Sequence, residues 1–497
     1  MTVVLAIDAG TTSVRTVAFD DSAAVVAAAQ REFPQYFPTP GLVEHDADEI
    51  WDAVQATLKE VVDQLDAPPA AIGVTNQRET VVAWSRRSGR PLHRAIVWQD
   101  RRTADRCAQL QREGLLPLVR ERTGLVLDPY FSASKIQWLL SDGGVAAGPD
   151  LALGTIDSWI LWNLTGGEVH ATDATNAART MLFDIVELRW HPELCEVFDA
   201  PEESLPRVLP SSGRFGVTSA DAACGAGVPI TGIAGDQHAA LFGQAAFSPG
   251  DAKNTYGTGA FVLMNVGAEV PAAVEGLLTT IAWVIDTPRG PQPTYALEGA
   301  IFATGAAVQW LRDGLGIISE AAEIEQLAQQ CDSTGGVYLV PAFAGLGSPH
   351  WDPYARGIIG GLTRGSGRAE LARAVIEAMA YQTRDVVEAM TAAAAASIRS
   401  LRVDGGASVM GSLLQLQADQ LGVPVQRPKL TEATAAGAAY LAGLAAGVWP
   451  SQQDIAARWQ LDFEALPDAS TDLADSGYRG WRRAVARSRG WAAADAG

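Results

Sequence analysis

Val3-Val4-Leu5-Ala6-Ile7-Asp8-Ala9-Gly10-Thr11-Thr12-Ser13-Val14-Arg15-Thr16-Val17-Ala18 decides the fold. Val3–Ile7 is a continuous apolar run, which reads as a buried strand, and Asp8 to Ser13 is a short polar turn around Gly10. Val14, Thr16 and Ala18 then alternate as a returning strand does. Two later stretches repeat the arrangement. Asn254–Leu263, NTYGTGAFVL, is again strand, glycine turn and strand, and Leu401-Arg402-Val403-Asp404 meets Gly405-Gly406 before the helical pattern Leu413–Leu421. Around them, Ile50, Trp51, Val54, Leu58, Val61, Val62 and Leu65 recur at helical spacing over Asp48–Leu65. Ala71–Thr75 is a further strand, opening into Asn76-Gln77-Arg78-Glu79. Strands and helices alternate along the whole chain, so the class is α/β. Strand-to-glycine junctions in both halves indicate a duplicated architecture. The break at Pro249-Gly250 divides it into 1–247 and 248–497.

The chain has 497 residues, 48% of them apolar and 19% charged, with a formal net charge of −20. That length suits two or three domains, and that charge argues against a protein that coats nucleic acid or anionic membrane. Cys107, Cys195, Cys224 and Cys331 form no CxxC pair, so neither a disulfide framework nor a structural zinc site is expected. The N-terminal segment lacks a basic region before its apolar run and is not read as a signal peptide. Alanine-rich Thr391–Ile398 is too short to span a bilayer, and no integral membrane association is expected. The composition fits a soluble cytoplasmic protein. The small-residue tail Ala492–Gly497 is expected to fray.

Glycine turns of this kind let backbone N–H groups approach phosphate oxygens. No GxxxxGK[ST] occurs, since none of Lys59, Lys135, Lys253 and Lys429 follows a glycine, and there is no GxGxxG or GxSxG. The first turn instead groups Asp8 with Thr11, Thr12, Ser13 and Arg15. A carboxylate there suits hydrated magnesium, hydroxyls and turn amides suit phosphate, and Arg15 suits the charge on a transferring phosphoryl group. Asp-x-Gly-Thr-Thr alone also fits an ordinary hairpin turn.

IDAGTTS, GIAGDQHAALFG, NTYGTG and VDGGA, in this order, resemble the FGGY family of carbohydrate kinases within the actin-like ATPase superfamily. YFSASKIQWLL, from Tyr130, matches that family's first signature in type and spacing. The finer resemblance is to the family's glycerol-phosphorylating branch, through TNQRET, AIVWQDRRTA, TGLVLDPYFS, KNTYGTGAF, YALEGAIFATGAAVQWLRD and VPAFAGLGSPHWDPYARG. It runs from about Val4 to about Trp449.

The resemblance implies two actin-like (ribonuclease H-like) lobes with an active-site cleft between them, and ATP and Mg2+ as cofactors. It implies that glycerol hydroxyls are held by Arg78, Glu79, Tyr130, Asp236 and Gln237, with Trp98 and Phe261 covering the carbon side. Asp236 becomes the general base and Arg15 the second catalytic group. Lone His238 is the rival base, read as structural. Asp8 and Asp236 would face the metal. Nucleotide contacts fall to Thr11, Thr12, Ser13, Arg15, Gly257, Thr258, Gly305, Gln309, Gly406 and Met410. A homo-oligomer, dimer or tetramer, is implied by analogy.

Three departures stand out. Met410 replaces the asparagine common in that branch, so adenine is expected to meet an apolar contact there rather than a hydrogen bond. The loop before Pro229 is only Gly225-Ala226-Gly227-Val228, so strong inhibition by fructose bisphosphate is not expected. No histidine lies between Leu205 and Pro229, so phosphorylation of that segment on histidine is not expected. Two alternatives remain open: a kinase for a pentulose or another polyol, and an actin-like ATPase that uses nucleotide as a switch.

Overall fold

The computed structural model describes residues 2–394 and 397–493. The end of the tail expected to fray, 494–497, lies outside the described residues. Thirteen strands form one twisted sheet. They are β1 (Val3–Ala9), β2 (Ser13–Asp20), β3 (Val25–Glu32), β4 (Ala71–Asn76), β5 (Ser212–Val217), β6 (Pro229–Gly235), β7 (Ala252–Tyr256), β8 (Ala260–Gly267), β9 (Leu278–Thr287), β10 (Gly290–Ile301), β11 (Leu401–Asp404), β12 (Val425–Pro428) and β13 (Leu461–Ala465).

The expected duplication is visible in strand order. The first half runs β3-β2-β1-β4-β6, and the second half runs β10-β8-β7-β11-β12. In each, the first hairpin is antiparallel and the next two neighbours of the opening strand are parallel to it or to one another. β1 and β4 are covered on both faces, which is why they read as unbroken apolar runs. The halves merge into one sheet where β5 meets β9, through the single partnered pair Ser212 and Ile285.

Helices cover the sheet. α1 (Ala47–Val62) begins at Asp46, whose side chain accepts from the Asp48 amide, and buries Ile50, Val54, Leu58 and Val61. α2 (Asp236–Gly243) follows β6, α3 (Arg368–Ala393) and α4 (Gly411–Leu421) pack in the second half, and α5 (Ala433–Ala445) follows β12. α5 has buried residues on every face because it leaves its own half. It lies on β1, β4 and β6 and crosses α2.

That crossing is close because glycines line it. A Cβ on Gly437 would overlap the Ala239 carbonyl, and one on Gly243 would overlap the Ala433 carbonyl. Ser212 Oγ and Thr231 Oγ1 donate to the Leu441 and Ala442 carbonyls at 2.8 and 2.9 Å, fastening α5 to the first half. The packing therefore interlocks across the Pro249-Gly250 break at which the sequence is expected to divide.

Among the described residues no helix is long and apolar enough to cross a membrane. All four cysteines are free thiols.

Candidate active site

The carboxyl ends of β1, β4 and β6 lie side by side, where α/β sheets present ligand-binding residues. β1 delivers Asp8, β4 is followed after Gln77 by Arg78 and Glu79, and β6 runs straight into Asp236, the first residue of α2. The turn after β1 is closed by Gly10 N–H donating to the Ser13 carbonyl at 3.0 Å, and Gln77 Nε2 donates to the Gly10 carbonyl at 3.0 Å. Strand ends and turn are thus one rigid unit.

Arg78 is the centre of the site. Its Nε lies 3.1 Å from Asp236 Oδ1, Nη2 donates to the Tyr130 hydroxyl at 3.2 Å, and its guanidinium carbon sits 5.8 Å from the centre of the Phe261 ring. Nη1 and Nη2 also donate to Glu298 Oε2 and Oε1 at 2.6 and 3.1 Å. Glu298 stands on β10, in the second half. Trp98 packs edge-on to Tyr130 with ring centres 5.7 Å apart, and its indole N–H donates to Thr11 Oγ1 at 3.1 Å. The expected acceptor residues Arg78, Glu79, Trp98, Tyr130, Asp236 and Phe261 are therefore brought together, joined to Thr11 of the first turn. Gln237 is held differently, since its Oε1 accepts from the buried Lys253 ammonium.

Charge is dense here. Burial raises the Asp236 carboxyl above its ordinary range against the pull of Arg78, and burial raises Glu79 despite Arg78 and Arg179. Burial, with Asp236 and Glu432 adding to it and Arg15 opposing, pushes Asp8 up to about 7. Glu298 goes the other way: burial would raise it, but Arg179 and Arg78 outweigh burial and hold it at about 2. Burial brings Lys253 down to about 8, with Asp404 and Asp236 opposing, and its Nζ also donates to Thr255 Oγ1 at 2.8 Å.

His238 is fully buried and its Nε2 meets Thr280 Oγ1 at 3.1 Å, while burial holds it well below the ordinary imidazole value. It packs as a neutral ring. The Asp236 side chain, by contrast, is 31% exposed and reaches the cleft.

On the second half's side, the Gly257-Thr258-Gly259 turn abuts the start of the short helix Gly305–Gln309. The Gly305 and Ala306 amides donate to the Gly257 and Thr258 carbonyls at 3.1 and 2.9 Å. Gly257, Thr258 and Gln309 are exposed. Gly405 has a φ of +85°, and a Cβ there would overlap Tyr256 backbone, so the β11 turn can lie directly against the β7 turn. Met410 precedes α4 with its side chain buried in the second half's core, and Val409 beside it is 70% exposed. Arg15 pairs with Glu432, just before α5, at 2.5 Å.

Two family models match most of this chain: the FGGY family of carbohydrate kinases, N-terminal domain, at residues 3–243, and the C-terminal domain of the same family at residues 252–446. The chain belongs to the FGGY family of carbohydrate kinases. It is 52% identical to glycerol kinase 2 of Thermotoga maritima over 99% of both chains, and 54% identical to the glycerol kinase of Trichlorobacter lovleyi over 99% of this chain and all of that one. The solved Plasmodium falciparum glycerol kinase with ADP superposes with a TM-score of 0.90 at 33% identity, covering 98% of each chain. A xylulose kinase from Lactobacillus acidophilus, 22% identical with a TM-score of 0.88 over 99% of each chain, shares the fold.

Within this FGGY kinase, sequence reasoning missed four residues: Arg179, Glu298, Lys253 and Glu432. Glu298 carried a signal, because one carboxylate inside the apolar run Tyr295–Ile301 must find a buried partner. Lys253 carried a similar one beside the second glycine turn. Arg179 and Glu432 stand in stretches of small residues with no local cue.

Proposed function

We propose that the protein transfers the terminal phosphoryl group of ATP to a terminal hydroxyl of glycerol, giving sn-glycerol 3-phosphate and ADP. The observation that carries the reading is the set around Arg78: fixed donors and acceptors at Glu79, Tyr130 and Asp236, with Trp98 and Phe261 as flat apolar walls. That is the chemistry a three-hydroxyl acceptor of short carbon length requires. The close relatives whose names are glycerol kinase support it.

In this reading Asp236 accepts the proton of the attacking hydroxyl. It sits at a rigid strand end, exposed to the cleft, with Arg78 Nε fixing one carboxylate oxygen, and its raised affinity for protons makes it the better base. The oxygen then attacks the γ-phosphorus in line, and Arg15 together with the turn amides meets the charge that develops. Arg15 must leave Glu432 to do so. Thr11, Thr12, Ser13, Gly257 and Thr258 face the phosphates, Gly305 and Gln309 the nucleoside, and Gly406 the adenine, with Met410 behind it as a largely core-packed apolar support.

Among the described residues no group of three His, Cys, Asp or Glu side chains has the arrangement of a protein-only metal site. Asp8, raised by burial beside Asp236 and Glu432, nonetheless fits a cation that also uses phosphate oxygens and water. Asp8 and Asp236 would hold Mg2+, which when bound neutralises phosphate charge. The reading further takes the protein as a cytoplasmic homo-oligomer, dimer or tetramer. A coupled ADP-release assay with glycerol, with a pentulose and with no acceptor tests it. Glycerol-dependent turnover is expected; equal turnover without acceptor would favour an ATPase switch, and preference for the pentulose a different acceptor.

A further inference from the structure

Beneath the acceptor site lie four buried charges. Glu298 takes both forks of Arg78 and accepts from Arg179 Nη2 at 2.9 Å, while Arg179 Nε donates to Glu79 Oε1 at 2.7 Å. Their side chains are at most 1% exposed. Arg179 is also flanked by the Tyr130 and Phe131 rings, 5.7 and 5.2 Å from its guanidinium carbon, and its Nη1 has no partner.

Such a quartet is a poor way to stabilise a core, because apolar groups of equal volume do as well or better once desolvation is counted. What it supplies is direction. Arg78 has five N–H donors: one Nη1 and one Nη2 proton go to Glu298 and the second Nη2 proton to Tyr130, while Nε stands 3.1 Å from Asp236 as an ion pair, which leaves the second Nη1 proton without a protein partner among these bonds. The orientation of that donor is therefore dictated by Glu298. Glu79 is likewise fixed by Arg179, and its φ of +63° shows a backbone held by its surroundings.

We infer that Glu298 and Arg179 are positioning residues for the acceptor: Glu298, from the second half, aims Arg78, and Arg179 aims Glu79, so the polyol pocket is complete only with β10 docked against the first half. The inference rests on the acceptor-site reading above. It places specificity for the hydroxyl pattern partly in residues that touch no substrate, and it separates acceptor binding from nucleotide binding, since among the described residues no hydrogen bond or ion pair joins the quartet to the Gly257 turn.

The test uses the full chain with Glu298→Gln, Arg179→Lys and the charge-balanced double variant Glu298→Gln/Arg179→Gln. It also uses Arg78→Lys alone and combined with Glu298→Gln. KM for glycerol, KM for ATP and kcat are measured for each, and ADP binding by calorimetry identifies the variants that fold. Glu298→Gln should raise KM for glycerol by about tenfold or more, with KM for ATP within about twofold of wild type. Adding Glu298→Gln to Arg78→Lys should cost much less than it does alone, because Glu298 acts through Arg78.

Unchanged KM for glycerol in any folded Glu298 variant, parallel rises in both KM values, or full additivity with Arg78→Lys would overturn the inference. If Glu298→Gln fails to fold, the charge-balanced variant gives the same reading. Wild-type turnover of glycerol separately tests the acceptor assignment: if another polyol or a ketose is the substrate, that assignment fails, and the ratio of KM values for that substrate decides the positioning inference.

Discussion

Replacing Asp236 by asparagine removes a proton acceptor while leaving its surroundings in place. The amide oxygen still accepts from the Gln237 amide, which the carboxylate does at 2.7 Å, and Arg78 keeps its fork on Glu298. Geometry should survive, so the loss isolates base catalysis, worth about 10²- to 10⁴-fold in kcat. Stability should move the other way. Because the folded protein raises the carboxyl's affinity for protons, the ionised form is a burden above the unfolded-state value, and its contribution worsens as pH rises through the folded-state value. Neutral asparagine lacks that burden, so the apparent Tm at pH 7 to 8 should stay level or rise while turnover collapses. Steady-state kinetics, ATP binding by calorimetry and thermal melts on the same preparations supply all three readings. Near-wild-type kcat would refute Asp236 as the base; a large fall in Tm together with lost ATP binding would show that the substitution damages the fold, contrary to the geometry.

Asp8 is pushed to about 7, so nucleotide-free protein should lose stability as pH rises from about 4 to 7, and Asp8→Asn should flatten that slope. Melts of the two proteins across that range, compared pairwise, check it; identical slopes would count against the shift. Gly437→Ala should destabilise by about 1–3 kcal/mol or more, because the new methyl overlaps the Ala239 carbonyl where α5 crosses α2, and urea unfolding would reveal it as a lower midpoint. With no side-chain amide at Met410, GTP should compete as phosphoryl donor better than in a Met410→Asn variant; a wild-type preference for ATP as strong as the variant's would remove Met410 from that role. The short Gly225–Val228 loop predicts no clear inhibition by fructose bisphosphate, and a saturating inhibitory titration would contradict it.

The strands and turns that carry the site were legible because each announces itself locally. β1, β4 and β6 are short, mostly apolar runs that lead into a glycine or a polar residue, and burial on both faces produces that pattern, whereas β7 and β11 hold polar residues and are marked by the glycine turns that follow them. Arg78, Glu79 and Asp236 were visible as polar residues at or just past strand ends, but their expected roles came from the family resemblance and not from that pattern. What was not legible is the partnering. Nothing near Arg179 indicates that its guanidinium reaches Glu79, which is 100 positions away, and nothing near Glu432 indicates Arg15. The interlocking of α5 with the first half was equally hidden, since an alanine-rich helix reads as buried without saying by what. Sequence pattern reports how far a residue is withdrawn from water, whereas a buried charge pair is fixed by topology.

These long-range contacts constrain how the cleft can close. A rotation of the second half as one rigid body would pull Glu298 from Arg78 and α5 from β1, β4 and β6. Breaking a buried ion pair on one side costs about 3–5 kcal/mol, comparable with much of a domain's net stability of about 5–15 kcal/mol. The contacts near β10 and the α2–α5 crossing must therefore stay closed, and any motion has to pivot about them. Arg15–Glu432 differs, because both side chains are partly exposed and the pair is correspondingly weak. On the proposed reading, the acceptor side of the site is then the more tightly held wall, and the nucleotide side, with its exposed Gly257-Thr258 turn and Gln309, carries fewer buried ties. That order suits a kinase that must hold a small acceptor rigidly while admitting and releasing a large nucleotide, and it ties Arg78, through Glu298, to both halves of the chain.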